Sequence, residues 1–469
     1  MSNEARRGVV DVFRMRRAGA GLISWRQHQR LGGMIGHARS RSPFYRELYA
    51  DLPGGVPDLS MLPPVTKSQL MERFDEVVTD RAVTRGGLEE FVGDPANIGQ
   101  PFLGRYLVAA SSGSTGHPGV FIEDQLARVL TSVIPRIRGG LTNWYGLRGA
   151  LRFIRSGGRY ALLDVGGGPH GALVSSIWAQ RENPKRAHAI RFISVLDSLG
   201  RQVGELNEFQ PQALGGYPSA IGLLAREQAA GRLHIQPLFI VFVGENVTGP
   251  ARRFIEAAFG CRSYEEYGST ENGVMAVQCR EGWLHYNADW YVLEPVDTGY
   301  RPVPAGTRSD TVLVTNLTNR VMPFIRYDQG DCILLKPGPC ACGSAFPAMH
   351  VTGRTDDLLD LPARSGQGTV TVTPLSLVAA IQQTPGVYRI QLVHRALNDL
   401  EIRLQVLPGA DDDTVWPAVT ARARRHLDEQ GVGPVTLHRS AEPPMQHPKS
   451  GKYAQVINLP ERAATPAGE

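Results

Sequence analysis

Two kinds of apolar spacing run along the chain, and their alternation predicts a layered α/β body followed by a smaller α+β unit. Residues 25 to 50 carry helical spacing, and Thr66 with Gln69 makes a capping box for a helix starting near Lys67. Tyr106 to Ala110 and Val120 to Ile122 are short strand-like runs around a polar loop. Helical stretches then alternate with short apolar runs, most clearly at Leu238 to Val243. Six apolar residues that stop at Gly244-Glu245 predict a buried parallel strand whose carboxyl end faces a ligand crevice. Ala251 to Phe259 reads as the next helix, and Arg262 to Tyr267 as the strand that delivers Gly268 to Glu271 to the same edge.

From Gly353 the pattern changes. A helix around Leu375 to Gln383, strands near Tyr388 to His394 and Leu400 to Val406, a helix from Asp413 to Gln430 and a strand near Val435 to His438 predict a compact α+β unit. The fold class expected is α/β: a large N-terminal domain (1–352) with mostly parallel sheets flanked by helices, a small C-terminal α+β cap domain (353–460), and a disordered tail (461–469). No internal repeat or low-complexity tract interrupts it.

Candidate chemistry sits where the predicted strands end. Ser111, Ser112, Gly113, Ser114, Thr115 and Gly116 form a glycine and hydroxyl loop, in which backbone N–H groups and short side chains can wrap a polyphosphate. It is not a Walker loop. That needs Gly-Lys-Ser/Thr leading into a helix, and here Gly116-His117-Pro118 leads into a β-rich stretch.

Four later segments accompany this loop: Tyr267-Gly268-Ser269-Thr270-Glu271, Arg326-Tyr327-Asp328-Gln329-Gly330-Asp331, Gly353-Arg354-Thr355-Asp356-Asp357 and Ser450-Gly451-Lys452. In this order they resemble the signature of the adenylate-forming superfamily of acyl-CoA synthetases, aryl acid ligases and nonribosomal adenylation domains. The runs His37 to Arg46, Leu62 to Lys67 and Phe209 to Ser219 look like the phenylacetate-CoA ligase branch. The resemblance implies an AMP-forming ligase that joins a small carboxylic acid, aromatic acids being common in the family, to CoA through an acyl-adenylate, with ATP and Mg2+ as requirements.

It also implies roles for residues. The Ser111 to Gly116 loop holds the β- and γ-phosphates, and Glu271 is the magnesium ligand, since a hard cation takes carboxylate oxygen with water and phosphate. Thr270 donates to the α-phosphate. Asp331 takes the ribose hydroxyls, Gly244, Glu245 and Asn246 line the adenine side, and Tyr267 stacks on the base. Arg326 and Arg354 contact nucleotide or, alternatively, serve as structural ion-pair partners. Lys452 is the catalytic lysine that neutralises charge between carboxylate and α-phosphate, and Asp356 is the hinge about which the small domain closes. Trp178 and Tyr217 either line the acyl pocket, near Gly166 to Gly171 and Ser175 to Trp178, or pack in the core. A homodimer is likewise what the resemblance implies.

Composition narrows the picture further. With 42% hydrophobic and 20% charged residues the chain reads as an ordinary globular protein with a large core. No stretch approaches the ~18 apolar residues of a membrane span, and Met1 to Val10 lacks a signal core, so a cytoplasmic location without membrane partner is expected. The net charge of +5 comes without any basic run of five, which favours an anionic small molecule over nucleic acid.

Five cysteines, an odd number, argue against a disulfide framework in a chain of this size. Cys279 with His285, and Cys340 with Cys342, make two short ligand pairs of the kind zinc selects, against the alternative of free thiols and a surface histidine. Four protein ligands would make such zinc structural rather than catalytic. Cys261 and Cys332 read as small core residues.

Two departures from the family pattern stand out. His117 replaces a usual lysine, and Leu358 to Val372, with Pro362, Gly366 and Gly368, reads as an inserted loop where the thiol tunnel is shaped. An acceptor other than CoA (a carrier protein, an amine or another nucleophile) and a catalytically inactive nucleotide-binding relic are the alternatives these departures leave open.

Overall fold

The computed structural model describes residues 2–53, 58–110, 119–139, 146–155, 157–164, 171–195, 197–247, 249–354, 359–372, 377–378, 380–381, 384–407, 409–445 and 456–458. These form two compact units that divide between Val351 and Thr352.

The first unit opens with a helix the spacing did not predict, Asn3–Met15, whose buried face is Ala5, Gly8, Val12 and Met15. The helical pattern of residues 25 to 50 is realised as two helices, Ala20–Arg41 and Pro43–Leu48. Ser42 breaks it: the residue before a proline is pushed out of the α region, and its hydroxyl caps the new helix by accepting from the Tyr45 N–H. The capping box is present as expected, with Gln69 Oε1 accepting from the Thr66 N–H at 2.8 Å.

Strands β1 (Leu107–Ala110) and β2 (Val120–Glu123) pair antiparallel. Strands β3 (Tyr160–Asp164), β4 (Ile190–Ser194), β5 (Ala213–Gly216), β6 (Phe239–Phe242) and β7 (Arg262–Ser269) are parallel neighbours. Strands β8 (Gly273–Gln278) and β9 (Leu284–Tyr286) continue from β7 antiparallel. Strands β10 (Tyr291–Val296), β11 (Thr311–Asn316) and β12 (Tyr327–Asp328) form a separate antiparallel sheet. Strands β13 (Asp331–Leu335) and β14 (Ala348–Arg354) complete the large sheet, in the order β13-β14-β9-β8-β7-β6-β5-β3-β4. The parallel core is as predicted; the antiparallel half beyond β7 is the addition.

All four residues of β6 are buried because both faces of the sheet are covered. Alternation sends Ile240 and Phe242 into one core with Leu214, Ile221 and Ile255, and Phe239 and Val241 into the other with Tyr264 and Val277.

The second unit contains a hairpin, β15 (Leu359–Pro362) with β16 (Thr369–Val372). This corrects the inserted loop expected at Leu358 to Val372. Pro362 ends the first strand, and Gly366 and Gly368, with φ of 76° and 74°, make the turn. A four-stranded sheet follows, built from β17 (Val387–Ala396), β18 (Asp399–Val406), β19 (Thr436–Arg439) and β20 (Val456–Asn458) in the order β19-β18-β17-β20. The helix Asp412–Glu429 packs Val415, Val419, Ala423 and Leu427 against it.

Candidate functional site

The carboxyl end of β7 turns sharply into β8. Ser269 pairs with Gly273, so Thr270, Glu271 and Asn272 form a three-residue turn. Glycine is required at both ends: a Cβ on Gly268 would lie 2.2 Å from the Gly273 carbonyl oxygen, and Gly273 has φ of 64° with Thr131 Oγ1 2.3 Å from where its Cβ would be. Across from the turn, the helix Gly171–Glu182 begins. A Cβ on Gly171 would sit 3.6 Å from Thr270 Oγ1, so the Thr270 hydroxyl lies beside a helix N-terminus, where unpaired N–H groups favour negative charge.

A buried polar network fixes this turn from below. Asn272, 1% exposed, donates from Nδ2 to Gln329 Oε1 at 2.8 Å, and its own Oδ1 accepts from Asn316 Nδ2 at 3.1 Å. Its backbone N–H donates to Ser269 Oγ at 3.2 Å, and its carbonyl accepts from the Tyr291 hydroxyl at 2.8 Å. Gln329 belongs to the turn between β12 and β13. One residue pair further, the Tyr267 hydroxyl donates to Asp331 Oδ2 at 2.7 Å. Side chains therefore bind the Tyr267–Glu271 and Tyr327–Asp331 segments together at two points. Spacing along the chain gives no sign of Asn272 or Asn316, and although Gln329 lies within the Arg326 to Asp331 segment, nothing local marks its partner.

At the neighbouring strand ends a second polar group converges. Asp164 closes β3, Tyr217 follows β5, and Glu245 follows β6. The Tyr217 hydroxyl donates to Asp164 Oδ1, and burial, with the adjoining Asp164 and Glu245 carboxylates, pushes its acidity far down so that it remains a phenol. Glu245 accepts from the Ser219 N–H at 3.1 Å and the Ser219 hydroxyl at 3.0 Å. Acidic and phenolic groups from three adjacent strands thus gather at the carboxyl ends of β3, β5 and β6.

A third cluster lies where β8 meets β9. The ligand atoms of Cys279, His285, Cys340 and Cys342 all fall within 4.8 Å of one another. Cys279 Sγ is 3.9 Å from Cys340 Sγ, and Cys342 Sγ is 3.2 Å from His285 Nε2. His285 Nδ1 donates to the Phe346 carbonyl at 2.6 Å, which places the ring proton there and leaves Nε2 as the electron-pair donor. Burial lowers the His285 pKa, keeping it neutral, and pushes the Cys279 thiol up to about 12, a cost that a bound cation reverses.

No family model matches the chain. The phenylacetate-coenzyme A ligase of Thermus thermophilus is 28% identical, over 92% of this chain and 96% of its own length. That of Pseudomonas putida is 25% identical, over 87% of this chain and 86% of its own. Along most of its length the chain is similar to these phenylacetate-CoA ligases. Among solved structures, 2-hydroxyisobutyryl-CoA ligase in the postadenylation state, in complex with R3-HIB-AMP, matches with a TM-score of 0.65 at 20% identity, covering 92% of this chain and 88% of that one. At that identity the match speaks for a shared fold and nothing beyond it.

Within this phenylacetate-CoA ligase-like frame, the residues singled out in the sequence fall into three groups. Thr270, Glu271, Gly268, Ser269, Tyr267 and Asp331 come together, as do Gly244, Glu245, Asn246 and Tyr217 on adjoining strand ends. Arg326 goes elsewhere. It is 4% exposed, pairs with Glu294 Oε2 at 3.2 Å and donates to the Leu62 and Ser60 carbonyls, contacts of the kind the ion-pair alternative expects. Tyr267 is 9% exposed beside a core with Met275, Tyr286 and Leu293, and its hydroxyl donates to Asp331. Trp178 lies beneath the Arg128 guanidinium, 3.6 Å from ring centroid to the central carbon. Ser111 to Gly116, His117, Asp356 and Lys452 lie outside the described residues, and of Arg354 only the backbone, at the end of β14, is described.

Proposed function

We propose that the protein is an ATP-dependent carboxylate ligase that forms an acyl- or aryl-adenylate and passes the acyl group to CoA. The observation that carries this reading is the side-chain fastening of the Tyr267–Glu271 turn to the Tyr327–Asp331 turn, because adenylation requires a metal-binding carboxylate and a ribose-binding carboxylate held in fixed relation. The homology to phenylacetate-CoA ligases supports the same reading. Ser111 to Gly116 would bind the β- and γ-phosphates, Thr270 the α-phosphate beside the Gly171 helix N-terminus, and Asp331 the ribose. Glu271 would hold Mg2+, which supplies charge neutralisation of the phosphates.

The chemistry balances in two steps. A carboxylate oxygen attacks the α-phosphorus as its bond to pyrophosphate breaks; the CoA sulfur then attacks the acyl carbonyl carbon, AMP departs, and the thiol proton goes to solvent. Lys452 would supply the ammonium for the first step, and the unit from residue 353 to 460 would close about Asp356 between the two.

Pyrophosphate release from ATP and magnesium with a panel of aromatic and aliphatic acids, with and without CoA, tests this. Release that requires an acid, with AMP and acyl-CoA as products, is the expected result; acid-dependent release without thioester would point to a carrier protein or an amine acceptor, and no release with any acid to a nucleotide-binding relic. In the same assay Gln329→Met is expected to raise the KM for MgATP about tenfold, in keeping with the ~1–3 kcal/mol cost of leaving buried donors without an acceptor, while the KM for the acid changes little. Equal changes in both constants would remove Gln329 from the positioning of nucleotide.

The Cys279, His285, Cys340 and Cys342 cluster fits structural zinc: three thiolates and one imidazole, a ring proton already engaged by Phe346, and no position left for substrate. Elemental analysis is expected to find one zinc per chain, and Cys340→Ser to lose it together with several degrees of Tm. A metal-free protein with unchanged Tm would leave four packed side chains and nothing more.

A further inference from the structure

We infer that the two amino-terminal helices form a docking face for an anionic lipid bilayer. Charge is unevenly distributed along the chain. Residues 1–30 hold seven arginines against Glu4 and Asp11, which accounts for the entire net charge of +5, so the remainder is balanced.

The structure decides where these charges point. Helix Asn3–Met15 turns Ala5, Gly8, Val12 and Met15 inward, and Gly8 packs so closely that a Cβ on it would meet the Leu126 side chain at 3.0 Å. The opposite face therefore presents Arg6, Arg7, Val10, Phe13 and Arg14 to solvent, at the three- and four-residue spacing of one helical stripe. Phe13 is 67% exposed and Val10 48%. On the next helix Ile23 is buried while Leu22 and Trp25 are 49% and 52% exposed.

Both acids of the region are already neutralised inside it or by the body. Asp11 is paired with Arg26 and Arg30, which also ties the two helices together, and Glu4 pairs with Arg320 at 3.1 Å. Arg6, Arg7, Arg14 and Arg17 have no carboxylate partner among the described residues. The face thus combines unpaired guanidinium groups with exposed aromatic and aliphatic side chains.

That combination selects among occupants. A second copy docked by twofold symmetry would set arginines against arginines. A nucleic acid would take the arginines but leave Val10 and Leu22 nothing apolar to enter. An anionic bilayer takes both: guanidinium groups meet lipid phosphates, and Phe13 and Trp25 rest at the headgroup level. The chain would lie on such a surface. No helix among the described residues is long and apolar enough to cross it.

The test is co-sedimentation of the full chain with phosphatidylcholine vesicles, with and without phosphatidylglycerol. Binding only to the phosphatidylglycerol vesicles, reversed by salt, is expected. Each arginine removed should weaken it about fivefold, so that Arg6→Gln, Arg7→Gln and Arg14→Gln together lower partition about a hundredfold. Phe13→Ser with Trp25→Ser should also abolish pelleting, with circular dichroism and pyrophosphate release unchanged to show that the variant folds. The inference is overturned by no binding, by equal binding to neutral vesicles, by a dimer in light scattering that these two substitutions dissolve, or by duplex DNA that displaces vesicles with the same dependence on the arginines.

Discussion

Lys452→Ala is expected to abolish acyl-adenylate formation while ATP still binds. The lysine closes the Pro448 to Lys452 segment, which is similar to the catalytic-lysine loop of the adenylate-forming superfamily. Negative charge develops between the incoming carboxylate and the α-phosphate, and a positioned cation in a water-poor site stabilises that transition state more than the ground state. Its removal should cost ~3–4 kcal/mol, roughly a hundred- to thousandfold in rate. Acid-dependent exchange of pyrophosphate into ATP reads the chemical step, and calorimetric titration with ATP reads binding. Exchange at the wild-type rate would take Lys452 out of the mechanism and leave the nucleotide site without its ammonium group. Lys452→Arg keeps the charge on a planar fork of different reach, so only slight rescue is expected.

Asp289→Ala should produce the largest loss of stability among substitutions remote from the site. Asp289 is fully buried and accepts from Arg138 at 2.6 Å and 2.7 Å in a two-pronged pair, and Arg138 also reaches the Val12 carbonyl of the first helix and Asn287 Oδ1 at 3.1 Å. Removing the carboxylate strands a buried guanidinium, which costs about 3–5 kcal/mol, whereas replacing both partners by apolar groups costs far less. Thermal unfolding is expected to show the transition of the large unit fall by several degrees in Asp289→Ala and recover in Arg138→Met with Asp289→Leu. A single substitution without effect would mean that the pair is reached by solvent and that the first helix is held without it.

Much of the body was legible because local rules decide it. The capping box at Thr66 and Gln69, the strand at Leu238 to Val243, the helix after it and the strand, strand, helix, strand order from Tyr388 to His438 all rest on contacts within a few residues or on a face that must be buried. The first helix was missed because its arginine-rich stretch hides a buried face of only Ala5, Gly8, Val12 and Met15. The hairpin at Leu359 to Val372 was missed because Pro362, Gly366 and Gly368 signal a turn equally well with or without strands on either side.

At the site, residue types and order came from the chain itself: glycines where a turn admits no Cβ, an acid after Thr270, two short cysteine and histidine pairs. Partners did not. Arg326 turned inward to Glu294, Tyr267 became the support of Asp331, Gln329 met Asn272 from 57 positions away, and Cys279 met Cys340 from 61. A side chain's role depends on which atoms lie within hydrogen-bonding distance, and that distance is set by strand register and sheet order rather than by spacing along the backbone. The sequence by itself determined which chemistry was available and where the chain could turn; only the tertiary structure decided which groups neutralise one another and which remain to meet a ligand.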